Sequence, residues 1–352
     1  SCSPGQVHRK AKRVIRAHGV VKGDHHVVVQ RHHLYSRNES EFPVCGLRGN
    51  DACGLDHPPL CGARVACWRI VRRSGKAVAQ AHANAVVIGH VDGTVGQRRD
   101  LPIADRLHDL RHRKGVTRSE AGELVRRDSN YLGSVMVEQG DADAMLTGLT
   151  HHYPSALRPP LETIGTADDA DSVSGVYLLA FKNRVVFFAD VTVNQDPDAD
   201  TLAEATRHTA ALARRFNVEP RAALLSYSNF GSVDNESTRK PREAAAALQN
   251  DPAIDFPVDG EMQADTAVVE DILTETYEFS ELDAPANVLV FPNLESGNIG
   301  YKLLQRLGNA EAIGPMLVGM DKPVHVLQRD DEVKDIVNLA AVAVVDAQEQ
   351  SD

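Results

Sequence analysis

The pattern of apolar and polar residues is clearest towards the carboxyl end of the chain. Four apolar residues, Val288–Phe291, form a short run closed by a proline, which is typical of a buried parallel strand. After a polar loop, Asn298 is placed to cap a helix in which Ile299, Leu303 and Leu307 share one face. A strand, a loop and a helix in this order form half of a doubly wound unit, in which ligands bind at the carboxyl ends of the strands.

The same alternation extends over the chain from residue 105 onwards. Thr117 is placed to cap a helix, and Glu120 completes a capping box three residues later. Two apolar runs around a Lys-Asn-Arg turn predict an antiparallel hairpin. The predicted helices lie at about 106–112, 155–164, 201–216 and 242–248, and the predicted strands at 173–179, 185–190 and 222–226. Helices and strands that alternate with short loops predict an α/β fold.

Charge divides the chain into two unlike parts. Residues 1–100 contain 16 Lys and Arg against 7 Asp and Glu, whereas the remainder carries a balance of −20 within the overall charge of −11. All five cysteines and nine of the fifteen histidines also lie in these first 100 residues. We therefore predict an atypical basic segment at 1–104, disordered or translated in a wrong reading frame, and a folded domain at 105–352. Short apolar stretches at Val27–Val29 and Ala85–Gly89 are the candidate strands of the first segment.

Two other interpretations of the first segment are weaker. A structural zinc site lacks a C-x-x-C pair, since seven, seven and five residues separate Cys45, Cys53, Cys61 and Cys67. Nucleic-acid binding through the basic residues lacks an accompanying motif. The chain also has no apolar run near the roughly 20 residues of a membrane span, and no secretory leader pattern. We expect a cytoplasmic protein with neither a bound metal nor a nucleic-acid or membrane partner.

Candidate chemistry lies in the folded domain. Neither G-x-G-x-x-G nor the G-x-x-x-x-G-K-[ST] motif occurs, so the two commonest nucleotide fingerprints are absent from the sequence. Arg158 and Arg329 are each able to bind a phosphate in a bidentate manner. Asp335 follows Arg329 by six residues and is a candidate general base if both face one cleft. The alternative for each is an ordinary salt bridge.

A set of motifs spread over about 245 residues resembles the phosphate acetyl/butyryltransferase family. The motifs, in chain order, are Arg113-Lys-Gly-Val-Thr, Gly140-Asp-Ala-Asp-Ala-Met, Leu157-Arg-Pro, Ala189-Asp-Val-Thr-Val-Asn, Glu219-Pro-Arg, Leu225-Ser-Tyr-Ser-Asn-Phe-Gly-Ser, Val258-Asp-Gly-Glu-Met-Gln-Ala-Asp, Val290-Phe-Pro-Asn-Leu and Gly297-Asn-Ile-Gly-Tyr-Lys. Within the family, Pro323-Val-His-Val-Leu-Gln and Val344-Val-Asp-Ala-Gln look similar to the C-terminal domain of large bacterial NADP-dependent malic enzymes.

The resemblance implies a fold and a set of ligands. The fold is that of isocitrate and isopropylmalate dehydrogenases, with two α/β subdomains around a cleft and a middle subdomain at about 165–315. The implied partners are acetyl-CoA or CoA, phosphate or acetyl phosphate, and a second copy of the chain in a homodimer or higher homo-oligomer. No tightly bound cofactor is implied.

The resemblance also implies roles for single residues. Arg329 matches the phosphate-side arginine, Arg158 matches the second arginine, and Asp335 matches the carboxylate proposed as thiol base. Gln328 stands where active members have a serine, and His152 replaces a further serine. Losing one such hydrogen-bond donor costs on the order of 10²–10³ in rate. Further predicted substrate-binding residues, taken from the quoted motifs, are Ser226, Ser228 and Asn298.

Three functions follow as alternatives. The first is a regulatory domain that binds acetyl-CoA without efficient turnover, as in the malic enzymes; sensing requires only different affinities in two states. The second is a working phosphate acetyltransferase, and the third is a dimerisation module with a vestigial cleft. Glu261 and Asp265 either line the cleft or, as the favoured alternative, cap and solubilise a helix.

Overall fold

The computed structural model describes residues 69–73, 76–80, 100–329 and 331–350, and the backbone alone for the first two of these stretches. The backbone of 69–80 forms a hairpin of strands β1 (Arg69–Arg73) and β2 (Lys76–Gln80). The strands predicted at Val27–Val29 and Ala85–Gly89, and the possible zinc ligands of the cysteine-rich segment, lie outside the described residues.

Three helices form a small bundle before the main sheet: α1 (Asp100–Arg111), α2 (Arg118–Arg127) and α3 (Ser129–Glu138), with a 3₁₀ turn at His112–Lys114. The predicted capping box is confirmed, because Thr117 Oγ1 accepts from the Glu120 backbone N–H and the Glu120 carboxylate accepts from that of Thr117. The boundary predicted at 104/105 falls inside α1.

The main sheet has eight strands in the order β3-β10-β9-β4-β5-β8-β6-β7. The strands are β3 (Met145–Thr147), β4 (Ser174–Ala180), β5 (Val185–Ala189), β6 (Ala222–Leu225), β7 (Val258–Met262), β8 (Val288–Val290), β9 (Glu311–Val318) and β10 (Val324–Val326). Strands β5, β8, β6 and β7 are parallel, as are β3 and β10, while β4 and β9 are antiparallel to their neighbours. The predicted α/β class, the β4–β5 hairpin and the buried parallel strand at 288 are confirmed.

Helices cover both faces of the sheet. They are α4 (Tyr153–Thr163), α5 (Ala199–Arg215), α6 (Glu236–Gln249), α7 (Ala264–Val268), α8 (Leu294–Arg306) and α9 (Val333–Glu349). Apolar residues of α5, α6 and α9 share one core with the sheet, and α7 and α8 pack in a second core on the other face. Among the described residues, no helix combines the length and apolar character needed to span a membrane.

Helix α8 differs from its prediction at both its start and its orientation. Asn293, not Asn298, caps the helix, since the Asn293 Oδ1 accepts from the Ser296 backbone N–H at 2.9 Å. The face that packs inwards carries Gly297 and Tyr301. A Cβ at Gly297 would lie 2.7 Å from the Asp190 carbonyl oxygen, so glycine permits the helix to approach β5 closely. The predicted apolar face at Ile299 therefore points outwards.

Candidate functional site

The candidate site lies near one side of the sheet, where the two short strands β3 and β10 end next to each other. The two strands are parallel, with Val326 opposite Thr147, so their carboxyl ends lie at the same edge. The loop after β3 leads to His152 and helix α4, and the loop after β10 begins at Leu327. Strands β4 and β9 are longer, seven and eight residues, and continue past this edge. The edge therefore opens beside a continuous wall of sheet.

A glycine allows the two loops to run close together. Gly148 follows β3 with φ +115°, in the left-handed region, and the Cβ of any other residue would collide with the backbone carbonyl of Leu327. The Leu327 backbone N–H donates to the Thr147 carbonyl oxygen at 2.6 Å, which continues the β3–β10 ladder by one residue. The positions of His152 and Gln328 relative to each other thus depend on this contact.

Gln328 is held by helix α8. Its Nε2 lies 3.0 Å from the Tyr301 hydroxyl oxygen, and its Oε1 lies 3.3 Å from the same oxygen and 3.5 Å from Lys302 Nζ. Its backbone N–H donates to Asp331 Oδ2 at 2.8 Å. Tyr301 is itself fixed, because its ring stacks on Tyr177 of β4 with centroids 4.3 Å apart. The glutamine amide is therefore engaged within the protein.

Two further tyrosines, Tyr153 and Tyr177, lie close to Tyr301. Tyr153, in the first turn of α4, lies 3.0 Å through its hydroxyl from Thr192 Oγ1. Burial raises the pKa of Tyr153, and burial followed by the neighbouring Tyr301 raises the pKa of Tyr177. These phenols stay protonated at neutral pH and act as neutral hydrogen-bonding groups.

Asp335 lies in the first turn of α9, after the β10 loop. The Asp335 Oδ2 accepts from the Glu332 backbone N–H at 2.8 Å, and the side chain is half-buried. Burial raises the pKa of Asp335 above its ordinary value of 3.8, an effect that the hydrogen bond from Glu332 opposes. A carboxylate with a raised pKa is a better proton acceptor than an ordinary surface aspartate.

The two predicted phosphate-binding arginines and His152 lie at the surface. Arg329 follows Gln328 directly, and Arg158 lies in α4 six residues after His152. All three of Arg329, Arg158 and His152 are exposed, and neither arginine forms an ion pair with any residue in the described part of the chain. His152 occupies the N-cap position of α4 without a side-chain capping bond. His152 lies in the loop after β3 and Arg329 in the loop after β10, and a shared ligand site for these two residues and Arg158 stays a prediction.

A buried histidine anchors the strand that carries this loop. The Leu317 backbone N–H donates to His325 Nδ1 at 3.2 Å, and His325 Nε2 lies 3.1 Å from Asp346 Oδ2. Asp346 Oδ1 in turn accepts from Arg215 Nη1 at 3.1 Å. This chain of contacts ties β10 to β9, α9 and α5.

Two of the three other predicted binding residues, Ser226 and Ser228, lie apart from this edge. Ser226 and Ser228 follow β6, which is five strand positions from β10, a separation of about 24 Å. Asn298 is one turn before Lys302 in α8, and its Nδ2 lies 3.4 Å from the Val191 carbonyl oxygen. A ligand role for the two serines finds no support in this arrangement and stays a prediction.

Ser228 and Glu261 belong to a buried structural network. The Glu261 carboxylate accepts from Ser228 Oγ at 2.8 Å, from the Gly231 backbone N–H at 2.9 Å, and from Arg242 Nε at 2.7 Å and Nη2 at 3.0 Å. Burial alone would raise the pKa of Glu261, but the hydrogen bonds, those of Arg242 first, outweigh it and lower the pKa. Glu261 neither lines an open cleft nor caps a helix. Asp265 is exposed in α7, where its carboxylate accepts from the Thr266 backbone N–H.

Sequence reasoning missed several residues of this edge. Tyr301 and Lys302 occur in the quoted Gly-Asn-Ile-Gly-Tyr-Lys motif, and His325 in Pro-Val-His-Val-Leu-Gln, but no spacing pattern connects them to Gln328 or to Asp346. Among the described residues, no group of three His, Cys, Asp or Glu side chains is arranged to hold a metal ion.

The fold is that of a phosphotransacetylase-like α/β protein. A solved phosphotransacetylase from Streptococcus pyogenes superposes with a TM-score of 0.66 at 36% identity, covering 73% of this chain and 76% of that one. The EutD phosphotransacetylase from Staphylococcus aureus superposes with a TM-score of 0.65 at 31% identity, covering 73% of this chain and 78% of that one.

Sequence relatives give the family. Residues 69–344 match the model of the phosphate acetyl/butaryl transferases. The chain is 34% identical over 296 residues to the phosphate acetyltransferase of Bacillus subtilis (strain 168), covering 79% of this chain and 91% of the relative. It is 41% identical over 240 residues to the NADP-dependent malic enzyme of Escherichia coli (strain K12), covering 68% of this chain but 31% of the relative. The chain belongs to the phosphate acetyl/butaryl transferase family.

Proposed function

We propose that this chain binds acetyl-CoA and phosphate at the β3–β10 edge and acts mainly as a ligand-sensing domain. The proposed role is that of the matching part of the NADP-dependent malic enzymes, with little acetyl transfer of its own. The ligand lies in a cleft between a middle subdomain, about 165–315, and the rest of the folded chain. The observation that supports this proposal is the engaged amide of Gln328.

Acetyl transfer needs a base for the thiol proton, groups that hold the phosphate and a hydrogen-bond donor for the carbonyl oxygen. The CoA sulfur attacks the carbonyl carbon of acetyl phosphate, the thiol proton passes to a base, and phosphate leaves as the carbon–oxygen bond breaks. Asp335, with its raised pKa, is suited to accept the proton. Arg329 and Arg158 are suited to hold the phosphate. What remains is a donor for the negative charge that develops on the carbonyl oxygen.

Gln328 is a poor source of that donor. Its Nε2 already lies 3.0 Å from the Tyr301 hydroxyl, and turning it towards a ligand would break this contact. A serine at this position would present a shorter hydroxyl without that engagement. Loss of one donor of this kind costs on the order of 10²–10³ in rate. The exposed arginines can still bind phosphate groups, so binding is retained where catalysis is weak.

An active phosphate acetyltransferase is the second candidate. It is supported by the alignment that covers 91% of the Bacillus subtilis enzyme, and by the raised pKa of Asp335. In this case the Gln328 amide leaves Tyr301 and donates to the carbonyl oxygen in the transition state. Asp335→Asn would then abolish turnover while leaving acetyl-CoA binding intact.

One paired experiment distinguishes the sensing domain from the active phosphate acetyltransferase. Thioester formation from acetyl phosphate and CoA is measured on the protein, on Gln328→Ser and on a matched control, Gln195→Ser, whose side chain is exposed elsewhere. Calorimetry with acetyl-CoA is run on the same samples. We expect saturable binding by all three proteins, and turnover that rises at least about tenfold only in Gln328→Ser. Turnover at an enzyme's usual rate by the unaltered protein would refute the sensing role, and absence of any acetyl-CoA binding would refute both candidates.

A further inference from the structure

Lys302 in helix α8 has its amino group beside the amide of Gln328. The Lys302 Nζ lies 3.5 Å from Gln328 Oε1 and 5.1 Å from the centre of the Tyr301 ring. The ring is fixed, because it stacks on Tyr177 with centroids 4.3 Å apart. A cation–π contact therefore holds the ammonium near Gln328, while the side chain is exposed and accessible to a ligand.

Neutral groups hold Lys302, whereas carboxylates hold two other lysines. In the ranges 100–329 and 331–350, Lys240 and Lys334 each form an ion pair with a carboxylate, and Lys302 forms none. Its flexible four-carbon stem carries a single reactive nitrogen. No ion pair has to break before Lys302 Nζ turns towards a ligand, so this nitrogen is suited to react as a nucleophile.

The ligands of the proposed function carry an activated acetyl group close to this nitrogen. Acetyl phosphate and acetyl-CoA both contain a carbonyl carbon joined to a good leaving group. In the proposed function the acetyl carbonyl lies next to the Gln328 side chain, whose Oε1 is itself 3.5 Å from Lys302 Nζ. Separations of about 3–3.5 Å between reacting atoms are typical of a geometry ready for attack. The role of Lys302 therefore rests on the proposed function.

We propose that Lys302 is a self-modification site, acetylated by acetyl phosphate or acetyl-CoA bound at the β3–β10 edge. The ammonium first loses a proton to solvent, and the neutral Nζ then attacks the carbonyl carbon. An amide bond forms as the carbon–oxygen bond of acetyl phosphate, or the carbon–sulfur bond of acetyl-CoA, breaks. A second proton passes from the nitrogen to the departing phosphate or thiolate, so no other reactant is consumed.

Acetylation changes the charge of the candidate site. It converts the Lys302 ammonium into a neutral amide, which removes one positive charge and the cation–π contact with Tyr301. The amide persists after the ligand has dissociated, unlike the bound state. The modified chain thus records exposure to an acetyl donor, and its candidate site is less favourable for a phosphate group.

The first test is peptide mass spectrometry on the full chain incubated with acetyl phosphate, and in parallel with acetyl-CoA. We expect acetylation of Lys302 at least about tenfold faster than that of Lys182, an exposed lysine in the turn between β4 and β5. The Lys302 rate should saturate with donor concentration and fall when inorganic phosphate or CoA competes, whereas the Lys182 rate should do neither. Selective labelling by one donor alone identifies that donor as the source. Equal rates at the two lysines, or a Lys302 rate unaffected by the competitors, would overturn the proposal.

The second test moves the amino group by one residue. In Lys302→Ala combined with Leu303→Lys, the amino group lies about 100° further round the helix, at a position where Leu303 is 52% exposed. We expect it to react at the Lys182 rate, and a rate equal to that of Lys302 in the unaltered chain would contradict the proposed positioning. Calorimetry with acetyl-CoA is run on the same samples. Saturable binding with unselective labelling overturns the role of Lys302 alone, and absence of binding overturns the proposed function as well.

Discussion

Replacing Arg242 by leucine tests the buried network at the end of β6 and β7. The Glu261 carboxylate is 0% exposed and accepts four hydrogen bonds, two of them from the Arg242 guanidinium. In Arg242→Leu, only Ser228 and the Gly231 backbone N–H remain as donors. The variant therefore keeps a buried negative charge and removes its counter-charge.

The stability lost in Arg242→Leu depends on how deeply Glu261 and Arg242 are each buried. Breaking a fully buried ion pair typically costs about 3–5 kcal/mol, because the remaining charge is left without compensation. The Arg242 side chain is 34% exposed, so part of its interaction with Glu261 is already screened by water, and two donors remain. We expect a loss of about 2–3 kcal/mol in the free energy of unfolding at pH 7. For a domain of this size that corresponds to a fall of about 4–12 °C in Tm.

The pH dependence of folding stability tests this interpretation of the Arg242–Glu261 pair more strictly than a single measurement at pH 7. In the unaltered protein the folded pKa of Glu261 lies below 4.5, so its stabilisation is present above pH 4.5 and is lost as the pH falls through the folded pKa. Without Arg242, burial dominates and the folded pKa of Glu261 moves above 4.5. Its ionised form then destabilises the fold, and stability is lost as the pH rises through that raised pKa. The difference between the two proteins is therefore larger at pH 7 than at pH 4.

The assay is urea unfolding followed by circular dichroism at pH 4 and pH 7. Arg239→Leu is the matched control, since Arg239 pairs with Asp234 at 3.0 Å on the surface and its loss should cost no more than about 1 kcal/mol. A cost below about 1 kcal/mol for Arg242→Leu at pH 7, or the same cost at both pH values, would show that the network does not stabilise the fold in this way.

Three further outcomes are expected. Gly148→Ala should destabilise the protein by about 1–3 kcal/mol in urea unfolding, because a Cβ meets the Leu327 carbonyl at positive φ; an unchanged midpoint would contradict this contact. His325→Asn keeps an acceptor for the strand but loses the Asp346 contact, and should cost about 1–3 kcal/mol by the same measurement, whereas equal stability would show that the contact is dispensable. Asp335→Asn should gain stability relative to the unaltered protein as the pH rises above 3.8, since burial disfavours the ionised carboxylate; a relative gain as the pH falls would contradict the raised pKa.

Local features of this protein could be predicted from its sequence. The capping box at Thr117 depends on two side chains three residues apart, and the strand at 288–290 on a run of apolar residues, so neighbouring positions contain the whole signal. The resemblance to the family also came from motifs, which name residues such as Arg329 and Asp335 without placing them in space. These predictions concern residue types and local periodicity.

Only the tertiary structure decided how the elements meet. Ile299, Leu303 and Leu307 predict an amphipathic helix. Two glycines, Gly297 and Gly300, let the other face of this helix pack against the sheet, so the three aliphatic residues point outwards. The contacts of Gln328 with Tyr301, and of His325 with Asp346, join residues 27 and 21 positions apart whose proximity follows from the order of strands in the sheet. Such contacts are set by the packing of whole elements, to which no local pattern of residues corresponds.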